Sequence, residues 1–227
     1  LWSHWMSLSD EEIDFTSPRT KSISCLYVKT RITRVFNIVE LKNKWYFDKI
    51  YMAWIDRFNT SQELMHEDGL TATDIEKQWE TYLEIEKNVP LVSHVPTELD
   101  SCLVLGPGYT DTYLNIVLEA RPVVQGFLTE KICKPIRAGQ LFLVQASEGT
   151  VQYLRNIGFD TFDDYIDHAR YDSEPDWKRR TQLMHSVLDE IMPNLKEIFD
   201  NTAERRKRNC ELLKSPQFVA ELLKTLK

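Results

Sequence analysis

Apolar and polar positions along the chain fall into two alternating strand and helix stretches followed by a long helical tail. From Ser22 the run SISCLYV reads as a strand, KTRIT as a polar break, and RVFNIVELKNKW carries apolar residues at helical spacing before DKIYMAWI resumes a strand pattern. A helix between two mostly apolar strands predicts a β-α-β unit, because parallel strands need a crossover connection.

Between Asp56 and Gly108 the pattern changes to a polar stretch, an amphipathic acidic helix over Thr71 to Lys87, and a loop through Pro90, Pro96 and Pro107. This reads as an insertion over about residues 57–110. Regularity returns at Tyr113: YLNIVLEA predicts a buried strand, TEKICKPIRAG a helix closed by Gly139, and LFLVQ the next strand. GTVQYLRNIG then predicts a helix ending at Gly158, and FDTF a short final strand. After Asp163 the pattern is helical, with Leu183, Met184, Val187, Leu188, Ile191, Met192 and Leu195 at the spacing of a long amphipathic helix, and two shorter helices to follow. The fold class expected is α/β, a Rossmann-like doubly wound parallel sheet with a helical C-terminal tail. Residues 1–21 read as a remnant or linker, 22–170 as the sheet domain and 171–227 as helices packing on it.

Composition narrows the function classes. With 42% hydrophobic residues the chain supports a sizeable core, and a net charge of −7 gives no global reason to expect nucleic-acid binding. Any phosphate site must therefore be local. The four cysteines, Cys25, Cys102, Cys133 and Cys210, are scattered without a C-x-x-C pair, as expected of reduced thiols. No apolar run approaches the roughly 18 residues of a membrane span, so a soluble cytoplasmic protein is expected. The abrupt aromatic opening from Leu1 to Trp5 reads like the middle of something longer.

In an open parallel sheet, ligands bind outside the carboxyl ends of the strands, so polar residues just after apolar runs are the candidates. Arg31 and Arg34 follow the first strand, Glu119 ends the YLNIVLEA strand, and Glu130 and Lys131 open the next helix. A lysine in a first helical turn is mildly unfavourable unless it faces an anion. An arginine guanidinium able to fork two phosphate oxygens would complete a diphosphate site. The bland alternative for Thr129-Glu130-Lys131 is an ordinary helix start capped by Thr129. Glu119 could equally be a buried acid paired with an arginine, and Gly149 is expected to serve a tight turn rather than a phosphate cradle. The acidic run Asp160 to Asp176 and the basic quartet Arg205 to Arg208 are expected on the solvated surface. The five histidines show no ligand spacing, so no metal is expected. No Asp-x-Asp, Gly-x-Gly-x-x-Gly or Gly-x-Ser-x-Gly motif occurs, which argues against metal-dependent transferases, dehydrogenases and hydrolases with a nucleophile elbow.

The segment Asn115-Ile116-Val117-Leu118-Glu119, followed by Phe127-Leu128-Thr129-Glu130-Lys131-Ile132, resembles the donor-binding signature of the α1,3-fucosyltransferase family (glycosyltransferase family 10), where a strand ending in Glu precedes an aromatic-x-Thr-Glu-Lys segment. Upstream, SCLYVKTRITRVFNIVELKNKWYFDKIYMAWI resembles the opening of the same carboxy-terminal domain in bacterial and phage relatives, and LFLVQASEGTVQYLRNIGFDTFDDYID resembles its continuation. The resemblance covers about Ser22 to Asp56 and Asp111 to Arg180. It implies the donor domain of a GT-B glycosyltransferase that moves a sugar from a nucleotide diphosphate, GDP-fucose first, to a glycan acceptor, inverting the anomeric carbon without a metal or other cofactor. Lys131 and one of Arg31 or Arg34 would contact the donor phosphates. Glu130 would bond ribose or sugar hydroxyls, Phe127 would lie beside the nucleotide, and Asn115, Glu119 and Thr129 would complete the nucleotide-sugar site. Where the family commonly has Asn-Ser after the strand Glu, this chain has Ala120-Arg121. The family's general base lies in an amino-terminal domain. A non-catalytic nucleotide-sugar-binding module and a phage DNA-base glycosyltransferase are the rival readings.

Overall fold

The computed structural model describes residues 14–27, 32–54, 80, 83–84, 106–119, 129–216 and 218. The acidic helix expected over Thr71 to Lys87 and the loop through Pro90 and Pro96 lie almost wholly outside them. Four strands, β1 (Lys21–Tyr27), β2 (Ile50–Trp54), β3 (Thr112–Leu118) and β4 (Leu141–Gln145), form one sheet in the order β2-β1-β3-β4. Every pairing is parallel, with Cys25 opposite both Met52 and Ile116, and Leu118 opposite Gln145. β1 connects to β2 through helix α1 (Ile32–Lys42). A short helix α2 (Pro107–Thr110) leads into β3, and α3 (Glu130–Arg137) joins β3 to β4. The strand order reverses between β1 and β3, which makes the sheet doubly wound and puts the topological switch point between their carboxyl ends.

Right-handed crossovers place α1 and α3 on opposite faces of such a sheet, and alternation along β1 agrees. Cys25 accepts from Asn37 Nδ2 of α1, whereas its neighbour Ser24 turns to the other face and accepts from Asn115 Nδ2. After β4 come α4 (Thr150–Asn156), α5 (Ala169–Asp172), α6 (Trp177–Ile191), α7 (Leu195–Asn201) and α8 (Ala203–Lys214). α6 packs on α1 and β4, while α7 and α8 cover β3 and α3 on the opposite face. The core is therefore two apolar layers about a largely buried sheet, with Ile23, Leu114, Ile116, Phe142 and Leu143 sealed from solvent.

The two glycine stops are Schellman caps. Gly139 has φ +62° and Gly158 φ +99°. Gln140 N donates to Pro135 O and Phe159 N to Leu154 O, closing the six-to-one bonds that define the motif. The long amphipathic helix is interrupted at Pro193, where a 3₁₀ turn over Met192–Asn194 separates α6 from α7.

FDTF is not a strand. Asp160 Oδ1 accepts from Phe162 N, and Phe162 itself lies at φ 62°. The backbone polar groups that a strand partner would satisfy at Asp160 are taken by one side chain: Asn209 Oδ1 accepts from Asp160 N and its Nδ2 donates to Asp160 O. The surface expectation for the charged runs holds at Asp163, Asp164, Asp167, Asp176, Lys207 and Arg208, which are exposed, and is corrected at Asp172 and Arg206, which are buried. Arg206 of the basic quartet is 1% exposed and donates to the carbonyls of Gly139, Phe15 and Phe199. Arg205 pairs with Asp160 and Asp164, and Arg155 with Asp163, so acids from the 160–176 run are structural partners.

Candidate functional site

The carboxyl end of β3 brings together most of the charged candidates that fall among the described residues. Glu119 follows directly on β3, and its N–H donates to Gln145 O at 3.0 Å, which prolongs the pairing with β4 by one residue. The residue is 1% exposed. Oε1 accepts from Thr129 N at 3.0 Å and Oε2 from Thr129 Oγ1 at 2.6 Å. The chain leaving β3 is thus tied back to its own strand as it enters α3. Thr129 is the N-cap of α3, its Oγ1 accepting from Lys131 N. The same oxygen accepts from Lys131 Nζ at 3.1 Å. Carboxylate, hydroxyl and ammonium form one relay at the helix amino terminus, where the exposed peptide N–H groups already favour negative charge.

From the opposite face of the sheet, Arg34 in the first turn of α1 donates from Nη2 to Leu118 O at 3.2 Å. A guanidinium and an ammonium therefore converge on residues 118 and 119, at the switch point. Arg34 is 2% exposed and spends one Nη on a main-chain carbonyl. It supplies positive charge from behind the strand end rather than the open two-pronged fork expected from sequence.

Asn115 is not brought to this crevice. It sits in mid-strand, 3% exposed, donating to Ser24 Oγ at 2.8 Å in a buried network with Thr112 and Gln140. This network reaches Gly108 O and the start of β4, toward the amino ends of the strands. Arg31 and Phe127 lie outside the described residues, and Glu130 is described only as the first residue of α3. The β4 to α4 turn offers no anion seat. Asp172 is already there, Oδ1 accepting from Val151 N at 2.8 Å and Oδ2 from Gln152 N at 2.9 Å.

A constellation that sequence spacing does not reveal is Cys25, Asn37 and His185. Asn37 Nδ2 donates to Cys25 Sγ, and Asn37 Oδ1 is 2.8 Å from His185 Nε2. The residue types match a thiol nucleophile with its base and orienting amide, yet the chemistry is absent. Burial pushes the Cys25 thiol up to about 12 and the imidazole down to about 3, so both groups are neutral. His168 behaves likewise, lowered to about 4 by burial while bonded to Tyr171 and Thr161 O. Among the described residues no group of three or more His, Cys, Asp or Glu is placed to hold a metal ion. Among them, too, no helix is long and apolar enough to cross a membrane.

Comparison with family models, curated proteins and solved structures finds no match to this chain.

Proposed function

We propose that the chain is the donor-binding domain of a cytoplasmic, metal-independent glycosyltransferase that takes a nucleotide-diphosphate sugar, GDP-fucose first, and passes the sugar to a glycan acceptor. The observation that carries this reading is the convergence of Arg34 and the Thr129 to Lys131 helix start on the last residues of β3, at the switch point of a doubly wound sheet. A glycosyl bond that breaks toward a diphosphate leaves negative charge on the departing oxygens. Fixed cations and helix N–H groups aimed there stabilise the transition state more than the ground state. In this reading Lys131 exchanges its Thr129 hydroxyl for a phosphate oxygen, while Glu119 keeps Thr129, and with it the helix start, in place. Arg34 adds charge from within the protein, and the acceptor's base belongs to another domain, as the resemblance implies.

Isothermal titration of the chain with GDP and UDP tests the proposal. Binding of one of them, weakened about tenfold to hundredfold by Lys131→Ala, is expected for loss of one charge-assisted contact. Absence of binding, or a Lys131→Ala variant that binds as the wild type does, overturns it. Transfer or hydrolysis of a labelled nucleotide sugar by the protein separates the enzyme from a binding module that has lost catalysis.

A further inference from the structure

Beside the phosphate-facing groups lies a neutral pair of buried polar atoms that the structure leaves unsatisfied. Gln145 is the last residue of β4 and Thr33 the second residue of α1. They are 2% and 6% exposed. Gln145 Nε2 donates to Thr33 O at 3.3 Å and to Thr181 Oγ1 at 2.7 Å, which fixes the orientation of the amide. Thr181 Oγ1 in turn donates to Trp177 O, so its proton is committed and Gln145 meets it as a donor. Gln145 Oε1 and Thr33 Oγ1 have no hydrogen-bond partner. Leaving two such atoms buried and unbonded is costly, and native proteins seldom do so without a use for them.

We infer that Thr33 and Gln145 form a hydroxyl-reading subsite of the donor site, which rests on the donor-binding reading above. The argument is one of complementarity. Gln145 Oε1 only accepts, and the Thr33 hydroxyl can donate, so a single group meeting both would give one hydrogen and take one, as an alcohol does. A phosphate oxygen is excluded, because it would face the lone pairs of Gln145 Oε1 with no proton to offer. The position is suitable for a sugar alcohol. Gln145 pairs with Leu118 across the sheet, and Leu118 O holds Arg34, so the subsite lies with Arg34 on the α1 side of the strand ends, across the sheet edge from Thr129 and Lys131. Ribose and the transferred sugar both carry such hydroxyls within reach of a diphosphate.

The test is isothermal titration of wild type, Thr33→Val and Thr33→Ser with GDP, UDP, GDP-fucose and UDP-glucose. Valine keeps the shape and removes only the unsatisfied hydroxyl, and serine keeps the hydroxyl. The expected result is a loss of about fivefold to tenfold in affinity for Thr33→Val, the size of one neutral hydrogen bond, with Thr33→Ser close to wild type. A loss seen equally with the free diphosphate assigns the hydroxyl to ribose, and one seen only with the conjugates assigns it to the sugar. If wild type binds the panel and Thr33→Val binds equally well, the subsite is refuted while the donor-binding reading stands. If wild type binds none of the four, both fall. A Thr33→Val variant that melts lower without ligand but keeps its affinity marks the pair as a seat for a fixed internal water, and also overturns the subsite.

Discussion

Replacing Glu119 by glutamine isolates the relay that anchors the start of α3. The side chain keeps its shape, but one carboxylate oxygen becomes an NH₂ group. Thr129 presents an N–H at 3.0 Å and a hydroxyl at 2.6 Å, and both donate to the carboxylate. An amide can accept from only one of them. If its oxygen keeps the N–H, its NH₂ meets a hydroxyl that already accepts from Lys131 N and Lys131 Nζ. The Thr129 proton is then left without an acceptor in a site that is 1% exposed at residue 119. Losing a charged acceptor and stranding a donor costs about 2 kcal/mol. For a chain of this size that lowers the melting temperature by roughly 4–8 °C. Urea titrations of Glu119→Gln, Thr129→Val and the double variant measure it, and the double-mutant cycle should return a coupling of about 1 kcal/mol or more. A Glu119→Gln protein within about 0.5 kcal/mol of wild type, the range of an unremarkable surface change, would refute the reasoning.

Other expectations follow from the same hydrogen-bond accounting. Arg206→Met removes the donor to three carbonyls at a buried position and should destabilise by about 3 kcal/mol, with Arg206→Lys recovering only part because an ammonium lacks the planar spread of a guanidinium; equal stability of Arg206→Met in urea titration would contradict this. Asp172→Asn should cost about 1–2 kcal/mol, since the carboxylate caps two N–H groups at the start of α4, and a thermal melt unchanged from wild type would count against that role. His168 and His185 are held below their ordinary value of 6.5, to about 4 and about 3. The unfolded chain therefore takes up protons first as pH falls below 6.5, and stability should drop by roughly 2 kcal/mol for each histidine between pH 7 and pH 5. Asp160 and Asp163, whose pKa values are lowered, lose their contribution only in more acid solution; a flat urea midpoint between pH 7 and pH 5 would exclude the histidine effect.

The parts of this fold that depend on local pattern are legible in the sequence. Apolar runs mark β1, β3 and β4, and the glycines at 139 and 158 end helices where a left-handed residue is required. Glu119 and Lys131 can be singled out because strand ends and helix starts in an open parallel sheet are places of known chemistry. What escapes are the long-range partners of polar groups. Nothing near Asn115 in the chain announces that Ser24 and Gln140 will enclose it in mid-strand. A basic quartet looks solvated until three carbonyls, one of them 191 residues away, close around Arg206. FDTF has the composition of a strand, but its pairing demand is met by the side chain of Asn209, which no periodicity encodes. The Thr33 and Gln145 pair escapes for the same reason, since it exists only where β4, α1 and α6 meet.

Helix α3 spans eight residues, a rod of about 12 Å at 1.5 Å per residue. Its far end is docked by Gly139, whose missing β-carbon leaves room for the Phe15 ring, and by the guanidinium that grips the Gly139 carbonyl. The ammonium at its near end thus takes its bearings from the segment before β1 and from α8. A bulkier residue at 139, or a smaller one at 15, would tilt the rod and displace the cation at the other end, so mutations distant from Lys131 can move it by leverage alone.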